Sequence, residues 1–205
     1  MAEKIYLYPV WTRIWHGINA ILILLLILTG VSMQYSDPEF NLIRFDFAVS
    51  IHNYSGVFLT FNYLFFFIGN LVTSNGRHYR FSWKGLYERL KAQFIYYTFG
   101  IFRNESPPFP VQKERKFNPL QQFTYVIAMY ILLPVVVITG WAYLYPEILF
   151  DRIFGGSGLK VNDFIHVLTG FFLSFFLFVH VYLCTIGATF VSNFKSIVNG
   201  YHESH

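Results

Sequence analysis

The chain has 205 residues, of which 55% are hydrophobic and 13% charged, and it carries a formal net charge of +4 at a mean hydropathy of +0.43. So apolar a composition excludes a disordered tail, and the clustering of the charges excludes a soluble globule. The single cysteine, Cys184, leaves no disulfide framework and no C-x-x-C-H attachment motif within the chain.

Taken in chain order, the first stretch without Asp, Glu, Lys or Arg runs from Ile14 to Ser36. It predicts a helix over about 14–36 that stays in the protein: the apolar run is too long for a cleavable signal, no A-x-A-like site follows it, and three further spans come after. The second stretch, Phe47 to Gly76, predicts a helix over about 47–74. Between this and the third, Ser82 to Phe102 interleave Lys84, Arg89 and Lys91 with Trp83, Leu86, Tyr87, Leu90 and Phe94, the pattern of an interfacial helix on a membrane surface. Residues 106–110, SPPFP, cannot form regular helix, because each proline ring fixes φ and removes a donor. The third stretch, Phe117 to Pro146, and the fourth, Phe164 to Phe194, predict helices over about 118–146 and 163–192. Each stretch exceeds the ~20 apolar residues that cross a bilayer as helix. Barrel strands would be shorter and would alternate, whereas ILILLLIL and FFLSFFLFV are apolar on every side. The expected fold is an all-α membrane protein, a four-transmembrane-helix bundle forming a single membrane domain over 1–205.

Twelve of the fifteen basic residues fall in segments 1–13, 77–116 and 195–205, while the opposite loops hold Arg44, Arg152 and Lys160 among six acids. The positive-inside rule then predicts both termini in the cytoplasm of a bacterial-type inner membrane. Topology thereby accounts for the basic excess, and nucleic-acid binding is not expected.

With the spans free of charged groups, the conspicuous metal-binding side chains at membrane depth are His16, His52, His166 and His180, and intramembrane ionisable residues mark function. His166 and His180 are 14 residues apart, which is about four helical turns, one face and a rise of ~21 Å. Counting from the loop acids puts His52 and His166 at one level near the outer side, and His16 and His180 at another near the inner side. Two such pairs in a four-helix bundle suit bis-histidine ligation of two haems b, one imidazole from each face of each iron. His52 and His166 each precede a glycine by four residues, Gly56 and Gly170, and Gly30 lies 14 residues beyond His16. All three glycines are expected to clear room for a flat macrocycle. Zinc is disfavoured, since the two levels are too far apart and each pair is expected to lack a nearby Cys, Asp or Glu.

Arg13-x-x-His16, the second-helix ligand His52, the KFNPLQQ segment from Lys116 to Gln122, and FGG…IHVLTG…FVHV between Phe154 and Val181 resemble the diheme cytochrome b subunits of membrane-bound nickel-iron hydrogenases, formate dehydrogenases and thiosulfate reductases. The likeness covers nearly the whole chain, and the start of the third helix looks most like the thiosulfate-reductase type. The resemblance implies an electron-transfer subunit between an extracytoplasmic oxidoreductase, of iron-sulfur, molybdenum, hydrogenase or multihaem type, and the quinone pool. The catalytic subunit would be another chain. Menaquinone or ubiquinone would exchange near the inner haem, with Asn118 and Gln121 as contacts through their amides; Asn118 before Pro119 is equally well placed as a helix cap. Arg13 would suit an inner haem propionate. Two rivals share parts of the pattern: a stand-alone diheme cytochrome b that oxidises superoxide with quinone as acceptor, and a haem-free transporter or membrane anchor.

Overall fold

In chain order the elements are β1 (Lys4–Tyr6), α1 (Val10–Gln34), α2 (Phe45–Val72), α3 (Leu86–Ile95), α4 (Pro119–Ile127), α5 (Leu133–Leu144), β2 (Arg152–Ile153), β3 (Gly156–Ser157), α6 (Gly158–Cys184), α7 (Ser192–Asn199) and β4 (Tyr201–Glu203). The computed structural model describes residues 4–37, 39, 42–80, 82–148, 152–153, 156–187 and 189–203. Four helices are long and apolar enough to cross a membrane: α1, α2, the run Pro119–Leu144 and α6. Large apolar side chains such as Leu28, Phe58, Phe61, Ile138, Phe171 and Phe178 stand exposed on them, as expected where the surrounding solvent is lipid.

The helix bounds differ from the charge-free windows for physical reasons. α1 starts at Val10, directly after Pro9, whose carbonyl accepts from Thr12 and Arg13; a charge at a helix end reaches water, so Arg13 does not mark the boundary. α6 starts at Gly158 for the same reason, with Lys160 and Asp163 inside it. It ends at Cys184, eight residues short of 192. The last turn tightens through Thr185 N–H to Tyr182 O and Ile186 N–H to Leu183 O. Asn193 of α7 then donates to the free carbonyls of Cys184 and Ile186 at 3.3 and 3.0 Å, closing the helix end with a side chain.

The third span is one run in which a π-helical turn, Ala128–Leu132, joins α4 to α5. Pro134 lacks an N–H and its ring would press on the carbonyl four residues back, and a widened turn just before it relieves both problems. The interfacial helix expected over Ser82–Phe102 is present as α3, entered from Gly85 in the left-handed region (φ 66°) and prolonged by a π turn, Tyr96–Gly100, and a 3-10 turn, Ile101–Arg103. Gln93 is buried on one side of it, while Trp83, Tyr87 and Phe94 are exposed.

The chain divides into two compact units. The first comprises Met1–Arg13, Ile68–Tyr130 and His180–His205; the second comprises Ile14–Phe67 and Ile131–Val179. In the second unit Phe66, Leu59 and Leu133 are almost fully enclosed, and Trp15 stacks on Phe66 at 4.3 Å between ring centres. Polar ties join its helices: Trp141 donates to Thr60 Oγ1 at 3.0 Å, and Asn162 to the Thr139 carbonyl at 3.1 Å. In hydrocarbon such bonds hold helices together where the hydrophobic effect cannot.

In the first unit β1 pairs antiparallel with β4, Ile5 opposite His202, a tie between chain ends that no sequence periodicity announces. A buried polar chain runs from Lys116 Nζ to Asn75 Oδ1 (3.1 Å), from Asn75 Nδ2 to Asn70 Oδ1 (2.7 Å) and from Asn70 Nδ2 to Tyr130 Oη (3.2 Å). Gly76 permits it, because any side chain there would overlap the Asn70 carbonyl. Lys116 is 3% exposed and rests over the Tyr8 ring, 4.5 Å from its centre, with no ion pair among the described residues. Burial lowers its pKa from 10.5 to about 8. His78, beside Lys116 and Arg77, is held down to about 4 by burial first and by those two cations second; it packs edge-on against Phe117 rather than lying free on the surface.

A folded-state lysine pKa below the unfolded one means that the unfolded chain binds the extra proton between pH 8 and 10.5. Stability is therefore expected to rise with pH through that window, by at most about 3 kcal/mol. Thermal unfolding of the detergent-solubilised protein between pH 7.5 and 10.5 checks this against Lys116→Met, which should flatten that part of the profile.

Candidate cofactor site

The second unit brings His52 of α2 and His166 of α6 together, with ring centres 6.2 Å apart and planes crossed at 64°. Their rotation is set by two threonines on the neighbouring helices. Thr29 Oγ1 of α1 lies 2.9 Å from His52 Nδ1, and Thr139 Oγ1 of α5 lies 2.8 Å from His166 Nδ1. Each hydroxyl has one hydrogen, and each gives it to the carbonyl one turn back: Thr29 to Leu25 O at 2.6 Å and Thr139 to Val135 O at 2.8 Å. The hydroxyl oxygen can then only accept, so in both rings Nδ1 carries the hydrogen and donates it, and Nε2 keeps its lone pair. Outer-shell bonds of this kind characterise metal-ligating histidines.

The pair fits a haem iron. Two metal–imidazole bonds of about 2 Å, each lengthened by about 1 Å to the ring centre, place coaxial rings about 6 Å apart. Gly56 and Gly170, one turn beyond each ligand, have open space where a side chain would stand, which suits a flat group beside both. Gly30 lies beside the His52 ring: a Cβ on it would lie 3.5 Å from His52 Cε1. Tyr143 packs edge-on to His166 at 5.4 Å.

His16 belongs to the second unit and His180 to the first; both are half-buried. His180 Nδ1 lies 3.3 Å from Tyr125 Oη and its Nε2 3.8 Å from Cys184 Sγ. The thiol is thus close, contrary to the expectation that no cysteine stood near either pair, since residues four apart share a helix face. Even so, no group of three or more His, Cys, Asp or Glu that could hold a metal ion occurs among the described residues. On α1, Thr12 Oγ1 and Arg13 Nε are buried without hydrogen-bond partners, an arrangement that calls for a polar or anionic group against them.

Asn118 caps α4: its Oδ1 accepts from Gln121 N–H at 2.9 Å, and Gln121 Oε1 accepts from Asn118 N–H at 3.2 Å. The remaining Asn118 amide group donates to Tyr97 Oη at 2.7 Å. The capping alternative is realised, and it engages both residues expected to contact quinone.

Thr29, Thr139 and Gly140 were not anticipated, although a signal existed. Thr29-Gly30 on α1 is repeated as Thr139-Gly140 on α5, and HNYSGVFLT on α2 matches HVLTGFFLS on α6 as H-x-x-[ST]-G-x-x-x-[ST]. In both copies the last hydroxyl bonds the glycine carbonyl, Thr60 to Gly56 O and Ser174 to Gly170 O.

A family model described as prokaryotic cytochrome b561 matches residues 7–200, a range spanning both units. A protein of Escherichia coli (strain K12) named "Putative cytochrome YdhU" is 40% identical over 201 residues, covering 98% of this chain and 76% of that relative. No solved structure matches the chain.

Proposed function

Since the chain belongs to the prokaryotic cytochrome b561 family of membrane electron-transfer proteins, we propose that it carries electrons between an extracytoplasmic oxidoreductase subunit and the quinone pool, as one membrane domain with both termini in the cytoplasm. It is a bacterial membrane protein, and membership implies haem b. In this reading His52 and His166 hold an outer haem b, and His16 and His180 an inner one. The observation that carries it is the facing pair His52 and His166, each with Nδ1–H fixed on a threonine and Nε2 left free. The inner pair is supported by spacing: His16 stands 14 residues before Gly30, where an added Cβ would meet the His52 ring, and His180 stands 14 residues after His166. When bound, haem supplies a one-electron couple that no side chain here offers. The protein's own part is to ligate through Nε2, to exclude water with the apolar spans, and to meet a carboxylate with Thr12 and Arg13, whose buried polar atoms lack partners.

Quinone exchange is assigned to the start of α4, around Asn118, Gln121 and Tyr97. Asn118→Ala removes the cap, at a cost of about 1 kcal/mol, and is expected to slow quinone-linked turnover while both haems stay reducible. Asn118→Ser keeps the cap without the amide. Turnover restored in the serine variant would leave Asn118 as a cap alone, whereas turnover still slowed supports the amide contact.

Purification from native membranes tests the whole reading. The expected result is a co-purifying redox subunit, b-type bands in the reduced-minus-oxidised spectrum, and two haems per chain by pyridine haemochrome. A chain without b-type bands would overturn the cofactor assignment, and one isolated alone that oxidises superoxide would overturn the complex.

A further inference from the structure

We propose that Thr29-Gly30 and Thr139-Gly140 are a matched pair of ligand positioners that set the redox potential and ferric spectrum of the His52–His166 site. This rests on the reading of those histidines as axial ligands of one haem b. The two dipeptides do the same work from opposite helices. Each threonine accepts the Nδ1 hydrogen at 2.9 or 2.8 Å, and each is itself locked by its bond to the preceding turn. Thr29 is 1% and Thr139 8% exposed, so no water competes for these bonds. The glycine that follows completes the device. An added Cβ would lie 3.5 Å from the Cε1 of His52 at position 30 and of His166 at position 140. The helix backbone therefore lies along the edge of each imidazole, and a branched side chain at either position would push the ring round.

Two consequences follow from general ligand chemistry. An imidazole whose Nδ1–H is held by an acceptor is a better electron donor, which favours the ferric state and lowers the potential. Imidazole planes crossed at 64° bring the iron d orbitals that bond to them closer to degeneracy than coplanar rings would. The ferric signal is then expected at lower field than that of a coplanar bis-histidine haem. Thr29 and Thr139 bond His52 and His166, whereas His180 lies next to Tyr125 and Cys184, so the other haem is not expected to respond to changes at Thr29 or Thr139.

The test is potentiometric titration and low-temperature EPR of the purified haem-loaded protein carrying Thr29→Val or Thr139→Val, with Thr29→Ser and Thr139→Ser as rescue variants. Valine keeps the shape and removes the acceptor. The expected result is an upward shift of one of two midpoint potentials and a displaced low-field signal, both reversed by serine. Loss of that same haem alone in the valine variants, also reversed by serine, would agree with the ~10–100-fold affinity cost of an outer-shell change and would support the proposal. Valine variants with wild-type potentials and an unmoved EPR signal would overturn it, leaving the threonines as helix-packing residues. Failure of the underlying ligand assignment gives a different result, since His166→Ala would then retain both haems.

Discussion

Replacing His166 with alanine is expected to remove one haem of the two proposed while the second stays detectable, and His180→Ala is expected to remove the other. The His166 ring centre lies 6.2 Å from that of His52, so in the proposed site its loss would leave the haem iron one axial ligand short and Thr139 with no imidazole to accept from. Asp163, the nearest carboxylate in sequence, is already engaged, accepting a hydrogen bond from Tyr143. Pyridine haemochrome is expected to fall from two haems per chain to one in each variant, and low-temperature difference spectra should show a different α-band missing in each. The same band lost from both would mean that His166 and His180 serve one cofactor, contrary to the two-level arrangement.

Filling the space beside Gly56 or Gly170 with leucine is expected to abolish binding of the outer haem while the polypeptide gains or keeps stability. A Cβ at either position meets nothing within 4 Å, so the side chain starts into open space. Glycine inside a helix costs up to about 1 kcal/mol relative to a helix-forming residue, and leucine recovers part of that. The two effects therefore separate. A folding defect would lower helicity and melting temperature together, whereas occlusion would remove a haem from a chain of undiminished helicity. Circular dichroism with haem quantification on the same sample decides. Full haem content in both leucine variants would show that the macrocycle does not lie beside these glycines.

Much of the fold could be read because a bilayer core is unforgiving to charge, so the windows without Asp, Glu, Lys or Arg coincide with the four spans. Their ends were less legible. Thr185, Ile186 and Gly187 carry no charge and yet lie beyond the helix, and the residue that closes it, Asn193, acts from the next helix. Histidine spacing was informative because helical rise is fixed, which placed His52 opposite His166 before any coordinates. The threonines escaped notice because a helical Thr that bonds its own backbone is commonplace; only the facing imidazole makes Thr29 and Thr139 distinctive. The chain from Lys116 through Asn75 and Asn70 to Tyr130 joins residues as much as 60 positions apart, beyond the reach of any local pattern. Cys184 is a different case, since its four-residue distance from His180 could have been read directly.

The pairing of Lys4–Tyr6 with Tyr201–Glu203 imposes an order on biosynthesis. The first strand leaves the ribosome before any of the four spans and has no partner until Tyr201–Glu203 are made, roughly 10–40 s later at ordinary translation rates. Closure of this small sheet can therefore occur only after all four spans have been delivered to the membrane. It joins a strand made before the first span to one made after the fourth, so its formation reports that all four have been synthesised.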